Sequence, residues 1–205
     1  MNYIILDFEF NQSFDWGNGI KSNPKCTFEI IQIGAVKLNK NFKIISEFEI
    51  LIKPQLYTRL HPIVEKLTGL KESLLEDKDF FPVAYESFLN FIDTKDCILC
   101  FWGANDMKAL YRNIIYHNLN HTLINPKFIN VQNMASKFLN NPLGISIGLK
   151  NAVQELNIDT PYPFHNALND ARYTAKVLVA LKKEPFLLTD FDISSLGVNK
   201  LSKKK

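Results

Sequence analysis

The stretch Tyr3-Ile4-Ile5-Leu6-Asp7-Phe8-Glu9-Phe10 opens as a buried strand and ends with two acids two residues apart. In an extended strand residues i and i+2 face the same side, so Asp7 and Glu9 converge on one point. A carboxylate inside a sheet has to be paired, protonated or bound to a metal, because desolvating its charge is costly. The stretch therefore predicts either an exposed strand end or a shared cation. In open α/β sheets the C-terminal end of a strand is also where ligands bind. Taken alone, the pair is most simply two solvated acids at a strand exit.

Outward from this strand, a polar, glycine-containing stretch over 11–25 leads to FEIIQIGAVKL over 28–38. A turn at Asn39-Lys40-Asn41 follows, then FKIISEFEILIKP. There Phe42, Ile44, Phe48, Ile50 and Ile52 alternate with Lys43, Glu47, Glu49 and Lys53, which predicts a hairpin joined by the first strand. From Pro62 the pattern turns helical, first in HPIVEKLTGL and then over 83–91 with Ala84, Phe88 and Phe91 at helical spacing. CILCFW reads as a fourth strand, and Met107, Leu110, Ile114 and Ile115 mark the next helix. FINV, from Phe128, is a short fifth strand before helices over 132–138, 147–156 and 168–181. Three consecutive strands, then alternating helix and strand, predict an α/β fold: a mixed five-stranded sheet with an antiparallel edge and helices on both faces.

A chain of 205 residues with 46% hydrophobic and 22% charged residues is expected to fold as one domain rather than remain disordered. That domain is placed over 1–184, with 185–205 as a C-terminal tail made basic by Lys203, Lys204 and Lys205. The net charge of +3 is too mild to announce a nucleic-acid binder by itself. No apolar run reaches membrane-spanning length, and Asp7 interrupts the first one before it serves as a secretory signal. Three cysteines suit a reducing compartment, so the expected location is cytoplasmic. Cys97 and Cys100 match CxxC, but residues three apart on a strand point to opposite faces, so both are read as structural thiols.

Other acids change the reading of Asp7 and Glu9. Asp106 follows WGAN at the start of a helix directly after the fourth strand, and Asp170 lies in the first turns of the last helix, five residues after His165. Each alone is a common helix-start residue. Together, a DxE pair, a helix-start Asp and His-x-x-x-x-Asp resemble the DEDDh family of 3′-to-5′ exonucleases, which has the ribonuclease H-like fold. LDFEFN, EIIQIGAV, HPIVEKLTGL, FWGANDMKAL and FHNALNDARYTA look like family segments in the family's order, from Tyr3 to Leu181. DFEF and FWG look most like the RNA-trimming, KapD-like branch, although DNA proofreading members share the same five catalytic positions.

The resemblance implies two divalent cations, Mg²⁺ or Mn²⁺, held by Asp7, Glu9, Asp106 and Asp170. Hard oxygen ligands suit those ions, and their charge relieves the repulsion among four gathered carboxylates. It also implies His165 as general base, a role suited to an imidazole. The expected substrate is single-stranded nucleic acid with a free 3′ end, RNA before DNA, cut to nucleoside 5′-monophosphates. Phe8, Phe10 and Trp102 are candidates to stack on the last bases, with core packing the equal alternative, and Leu67 is a further candidate by analogy.

Rival readings attach to shorter signals. Gly144-Ile145-Ser146-Ile147-Gly148 matches the GxSxG elbow of serine acyl hydrolases, with Asp159 and His165 following in order. The elbow needs a strand before the serine, whereas KFLNNPL reads as a helix end, so Ser146 is expected to cap the next helix. His117 and His121 have zinc-pair spacing without the glutamate of HExxH and are read as surface residues. An inactive RNA-binding module is the third class, and it has no need of His165. The 11–25 stretch is long for a strand connection and is expected to border the substrate groove.

Overall fold

The computed structural model describes residues 1–14, 22–93 and 97–196. Three strands come first: β1 (Asn2–Gln12), β2 (Phe28–Leu38) and β3 (Ile44–Leu51). Helices α1 (Pro62–Thr68), α2 (Glu72–Leu75) and α3 (Phe81–Ile92) lead to β4 (Cys97–Phe101) and α4 (Asn105–Tyr116). Then come β5 (Lys127–Asn130), α5 (Val131–Phe138), α6 (Leu149–Glu155), α7 (Ala167–Ala180) and β6 (Leu188–Asp190). The strands form one mixed sheet in the order β3-β2-β1-β4-β5-β6, with β1 parallel to β4, β4 parallel to β5, and the other pairs antiparallel. This is the mixed α/β fold expected from the sequence, with one strand more than the five foreseen.

Central β1 is covered on both faces, which is why its first half reads as an unbroken apolar run. Ile4, Leu6 and Phe8 face a core built with Phe81, Phe88, Met107 and Leu110 of α3 and α4. Tyr3 and Ile5 face the opposite core, built with Val153 of α6 and with Ala171, Tyr173 and Leu178 of α7. Asp7 and Glu9 continue the face of Tyr3 and Ile5, the face on which α7 packs.

Close contact between α7 and the sheet is made at Gly34, the β2 partner of Asp7. A Cβ there would lie 2.1 Å from the carbonyl carbon of Ala167 and 2.2 Å from the backbone nitrogen of Leu168. Glycine thus lets the first turn of α7 rest directly on the strand beside Asp7. Asn166 caps this helix, its side chain accepting from the Asn169 N–H at 3.1 Å.

The chain beyond residue 184 corrects the expected tail. β6 pairs with β5, Phe186 meets the Tyr3 ring edge-on at 5.8 Å, and Phe191 stacks on Tyr111 at 5.2 Å. Three residues of strand carry too little periodicity to be seen in sequence, but they place 186–196 within the domain. The Lys-rich end at 203–205 lies outside the described residues, as does 15–21 of the stretch expected to border a groove. Among the described residues no helix is long and apolar enough to cross a membrane.

Replacing Gly34 with Ala forces α7 away from β2. Overpacking of this kind costs roughly 1–3 kcal/mol, and collision with rigid backbone sets the expected loss near or above the upper end. Urea denaturation of Gly34→Ala checks it; a change below about 0.5 kcal/mol contradicts the close-approach account.

Candidate active site

Strand alternation brings Asp7 and Glu9 out at the C-terminal end of β1 on the α7 side. The register shifts between Glu9 and Phe10, a bulge that re-aims the strand just past the acids. Asp170 sits in the first turn of α7, which Gly34 allows against the same strand. One oxygen from each of Asp7, Glu9 and Asp170 lies within 4.8 Å of the others. β4 ends at Phe101 beside Leu6, and Gly103, in a left-handed conformation (φ 100°), turns the chain into α4. Asp106 follows in the first turn of α4, buried, and its charge acts on both Asp7 and Glu9. It stands beside the three-acid cluster rather than within it.

His165 is exposed and adopts a left-handed backbone (φ 65°), which is uncommon for a non-glycine residue. Strain of this sort persists only where the surroundings determine it. Here Tyr173 Oη donates to the Tyr162 carbonyl at 2.5 Å and accepts from the Tyr162 N–H at 2.9 Å. The Asn169 amide donates to the Pro163 carbonyl, and Phe164 packs on the Tyr173 ring at 4.7 Å. The next residue is tied to the sheet: the Asn166 amide donates to Glu49, and the Ala167 N–H donates to Gln32 Oε1. Gln32, the β2 partner of Glu9, also donates to Glu49 at 2.7 Å. His165 itself donates its backbone N–H to Asp170 Oδ2 at 3.1 Å, so histidine and acid are joined through the main chain.

The electrostatics follow from this crowding. Burial, and then the charges of Asp106, Glu9 and Asp170, push the Asp7 carboxyl well above its ordinary range. Burial is also the main cause that raises Glu9 to about 8 and Asp106 to about 7, with Asp170 and Asp106 adding to the effect at Glu9. Asp170 is raised by burial and partly relieved by the His165 N–H. Its Oδ1 is buried and has no hydrogen-bond partner. An orphaned carboxylate oxygen facing like charges is the donor set a hard divalent cation fits.

Other sequence candidates fare differently. Phe8 is 3% exposed and packs near Phe10 and Phe101, so a base has no access to its ring and the stacking role is withdrawn. Phe10 is half-buried beside it. Trp102 is half-buried, and its indole N–H is shielded without a partner. Leu67 is 51% exposed on α1. Ser146 follows no strand and caps nothing, since Gly148 is the N-cap residue of α6, so the expected capping role is corrected. His117 is not a plain surface residue, because its ring stacks on Phe81 at 5.4 Å. Cys97 and Cys100 belong to opposite cores, as strand alternation requires. Sequence reasoning missed Gln32, Glu49 and Tyr173, which hold the His165 loop. A buried Gln amid the apolar run EIIQIGAV was the one available signal.

Raised carboxyl pKa values mean that the folded state binds protons the unfolded chain has released. Stability from these acids is complete below their ordinary values of 3.8 and 4.5 and is lost as pH rises through about 7 and 8. Metal-free protein should therefore show a melting temperature that falls over this window. Mg²⁺ at a hundredfold excess over its Kd should restore about 3 kcal/mol at pH 8 and much less at pH 5. Equal effects of Mg²⁺ at both pH values would contradict the clustered-acid account.

Comparison with known proteins agrees with the geometry. A family model described as Exonuclease (RNase T) matches residues 4–178. Over 98% of its length the chain is 29% identical to the DNA polymerase III PolC-type of Thermotoga maritima. Over 85% of its length it is 26% identical to ERI1 exoribonuclease 2 of Xenopus laevis. It spans only 13% and 27% of those two proteins. The fold is similar to the nuclease domain of 3′hExo, a DEDDh family member solved with bound rAMP, with a TM-score of 0.79 and 22% identity over 93% of this chain and 97% of that one. The chain belongs to the exonuclease family whose model it matches over residues 4–178.

Proposed function

We propose that this chain removes nucleotides from the 3′ end of single-stranded RNA, releasing nucleoside 5′-monophosphates, in the manner of the RNA-trimming branch of the family. The observation that carries the reading is the meeting of Asp7, Glu9 and Asp170 oxygens within 4.8 Å, with Asp106 and His165 alongside. Likeness to an exoribonuclease and to a nuclease domain holding rAMP favours RNA. Likeness to PolC-type polymerases keeps a proofreading-type DNA exonuclease as the second reading. A chain with three cysteines suits a reducing compartment, and the cytoplasm is its proposed place of action.

Asp7, Glu9 and Asp170 are the residues that would hold the nucleophile-side cation, with Asp7 reaching a second one and Asp106 ligating it directly or through water. Two Mg²⁺ or Mn²⁺ ions bound there would supply Lewis acidity at the attacking water and at the leaving oxygen. His165 accepts the proton of the water as its oxygen bonds to phosphorus. The P–O3′ bond breaks, and the departing 3′ oxygen takes a proton from solvent. Being exposed, with its main chain bonded to Asp170, His165 faces solvent while tied to the acid cluster. Leu67, Phe10 and Trp102 are the proposed contacts to the terminal bases, by stacking or wedging.

The test is digestion of matched 5′-labelled RNA and DNA oligomers, with free or phosphate-blocked 3′ ends, with and without Mg²⁺. Stepwise shortening of free-ended RNA is expected, abolished by chelator and faster than for DNA. His165→Ala should lower kcat by about 10²–10⁴-fold, and Asp7→Ala should lower it at least as much. Chelator-resistant activity, or equal digestion of blocked ends, refutes the reading, and faster DNA digestion transfers it to the proofreading type.

A further inference from the structure

Two buried polar side chains lie just beyond the acids with no part in the chemistry. Asn11 and Glu29 are cross-strand partners on β1 and β2, 0% and 2% exposed. A buried carboxylate and amide are expensive unless every polar atom is matched. Both are matched by one segment of irregular chain. Glu29 accepts the backbone N–H groups of Gln55, Leu56 and Tyr57 at 2.5, 2.8 and 2.8 Å. Asn11 donates to the carbonyls of Tyr57 and Arg59 at 2.7 and 2.9 Å and accepts from the His61 N–H at 2.9 Å.

The pinned segment leads to one element, α1. His61, the last residue held by Asn11, is the N-cap residue of α1, its Nδ1 accepting from the Ile63 N–H. Leu60 donates its N–H to Glu72 of α2, and Val64 packs with Ile31, Leu60, Leu70 and Leu75 in a small separate core. What α1 leaves uncovered is an apolar pair one turn apart, Ile63 at 57% and Leu67 at 51% exposure. An apolar core alone would hold α1 loosely in direction. Directional hydrogen bonds from the strand that carries Asp7 and Glu9 fix it relative to those acids, since Asn11 is two residues from Glu9.

We infer that Asn11 and Glu29 are positioning residues, which register the exposed Ile63–Leu67 face of α1 against the acid cluster and so set the grip on the 3′-terminal nucleotides rather than the cleavage step. The inference rests on the nuclease reading above. It makes the strength of oligonucleotide binding depend on two groups that touch neither substrate nor metal.

Steady-state kinetics of wild type, Asn11→Ala, Glu29→Gln, Leu67→Ala and the Asn11→Ala/Leu67→Ala double variant test it. Each is assayed on a single-stranded RNA oligomer and on the p-nitrophenyl ester of thymidine 5′-monophosphate, which has no second nucleotide to grip. Amide exchange over 62–68 is followed in parallel. For Asn11→Ala, loss of these hydrogen bonds should raise the oligomer KM about tenfold with kcat within about twofold. The ester should be cleaved at an unchanged rate, exchange in α1 should quicken, and the double variant should be little worse than either single one. Glu29→Gln, which keeps its volume and loses one acceptor oxygen, should move the same quantities in the same direction if Asn11→Ala does not fold. Equal losses on both substrates, additive effects with Leu67→Ala, or unaltered exchange in α1 overturn the inference. Wild-type protein that cleaves neither substrate overturns the nuclease reading instead, and the inference with it.

Discussion

Repulsion among carboxylates gathered at one sheet edge is the force against which this fold is arranged. Asp7, Glu9, Asp106 and Asp170 come from β1, α4 and α7, and each resists ionising in the presence of the others. A protein without use for that arrangement gains by dispersing it, since each buried charge lowers stability near neutral pH. The surrounding structure instead enforces it. Gly34 removes the one side chain that would hold α7 off the strand, and the 162–166 loop is locked by hydrogen bonds on three sides. Counter-charge from hard cations turns this stored repulsion into binding affinity.

How much of this was legible depended on whether a signal was local. The same-side placement of Asp7 and Glu9 follows from strand periodicity alone, and Asp106 and Asp170 were readable as helix-start acids. β3 was visible because apolar and charged residues alternate along it, and β1 and β2 because each carries a run of apolar, largely β-branched residues. Invisible were contacts set by tertiary approach. Gly34 looks like any glycine in EIIQIGAV until Ala167 is seen above it. Glu29 looks like a solvated polar residue at the start of a strand, and instead is buried with its hydrogen bonds satisfied by distant chain. Of the two readings open for Phe8, core packing holds: alternation puts it opposite Asp7 and Glu9, inside the α3–α4 core. β6 and α2 were too short to carry a period.

The polar residues of this molecule divide by task along the first two strands. Toward the end of β1, Asp7 and Glu9 are crowded by like charges, as a metal site demands. Two residues later Asn11 has three partners, as a structural clamp demands. The bulge between Glu9 and Phe10 separates the two regimes. One strand thus carries both the group that is destabilised for chemistry and the group that anchors what surrounds it, an economy consistent with strain being confined to functional positions.

Everything in this account requires that a divalent cation lodge between Asp7, Glu9 and Asp170. Anomalous diffraction from crystals soaked in Mn²⁺ and a nucleoside 5′-monophosphate locates the ion directly. The account predicts a manganese peak within coordination distance of all three carboxylates, with Asp170 Oδ1 as a ligand. Manganese bound elsewhere, with these acids protonated and bonded to one another, contradicts it.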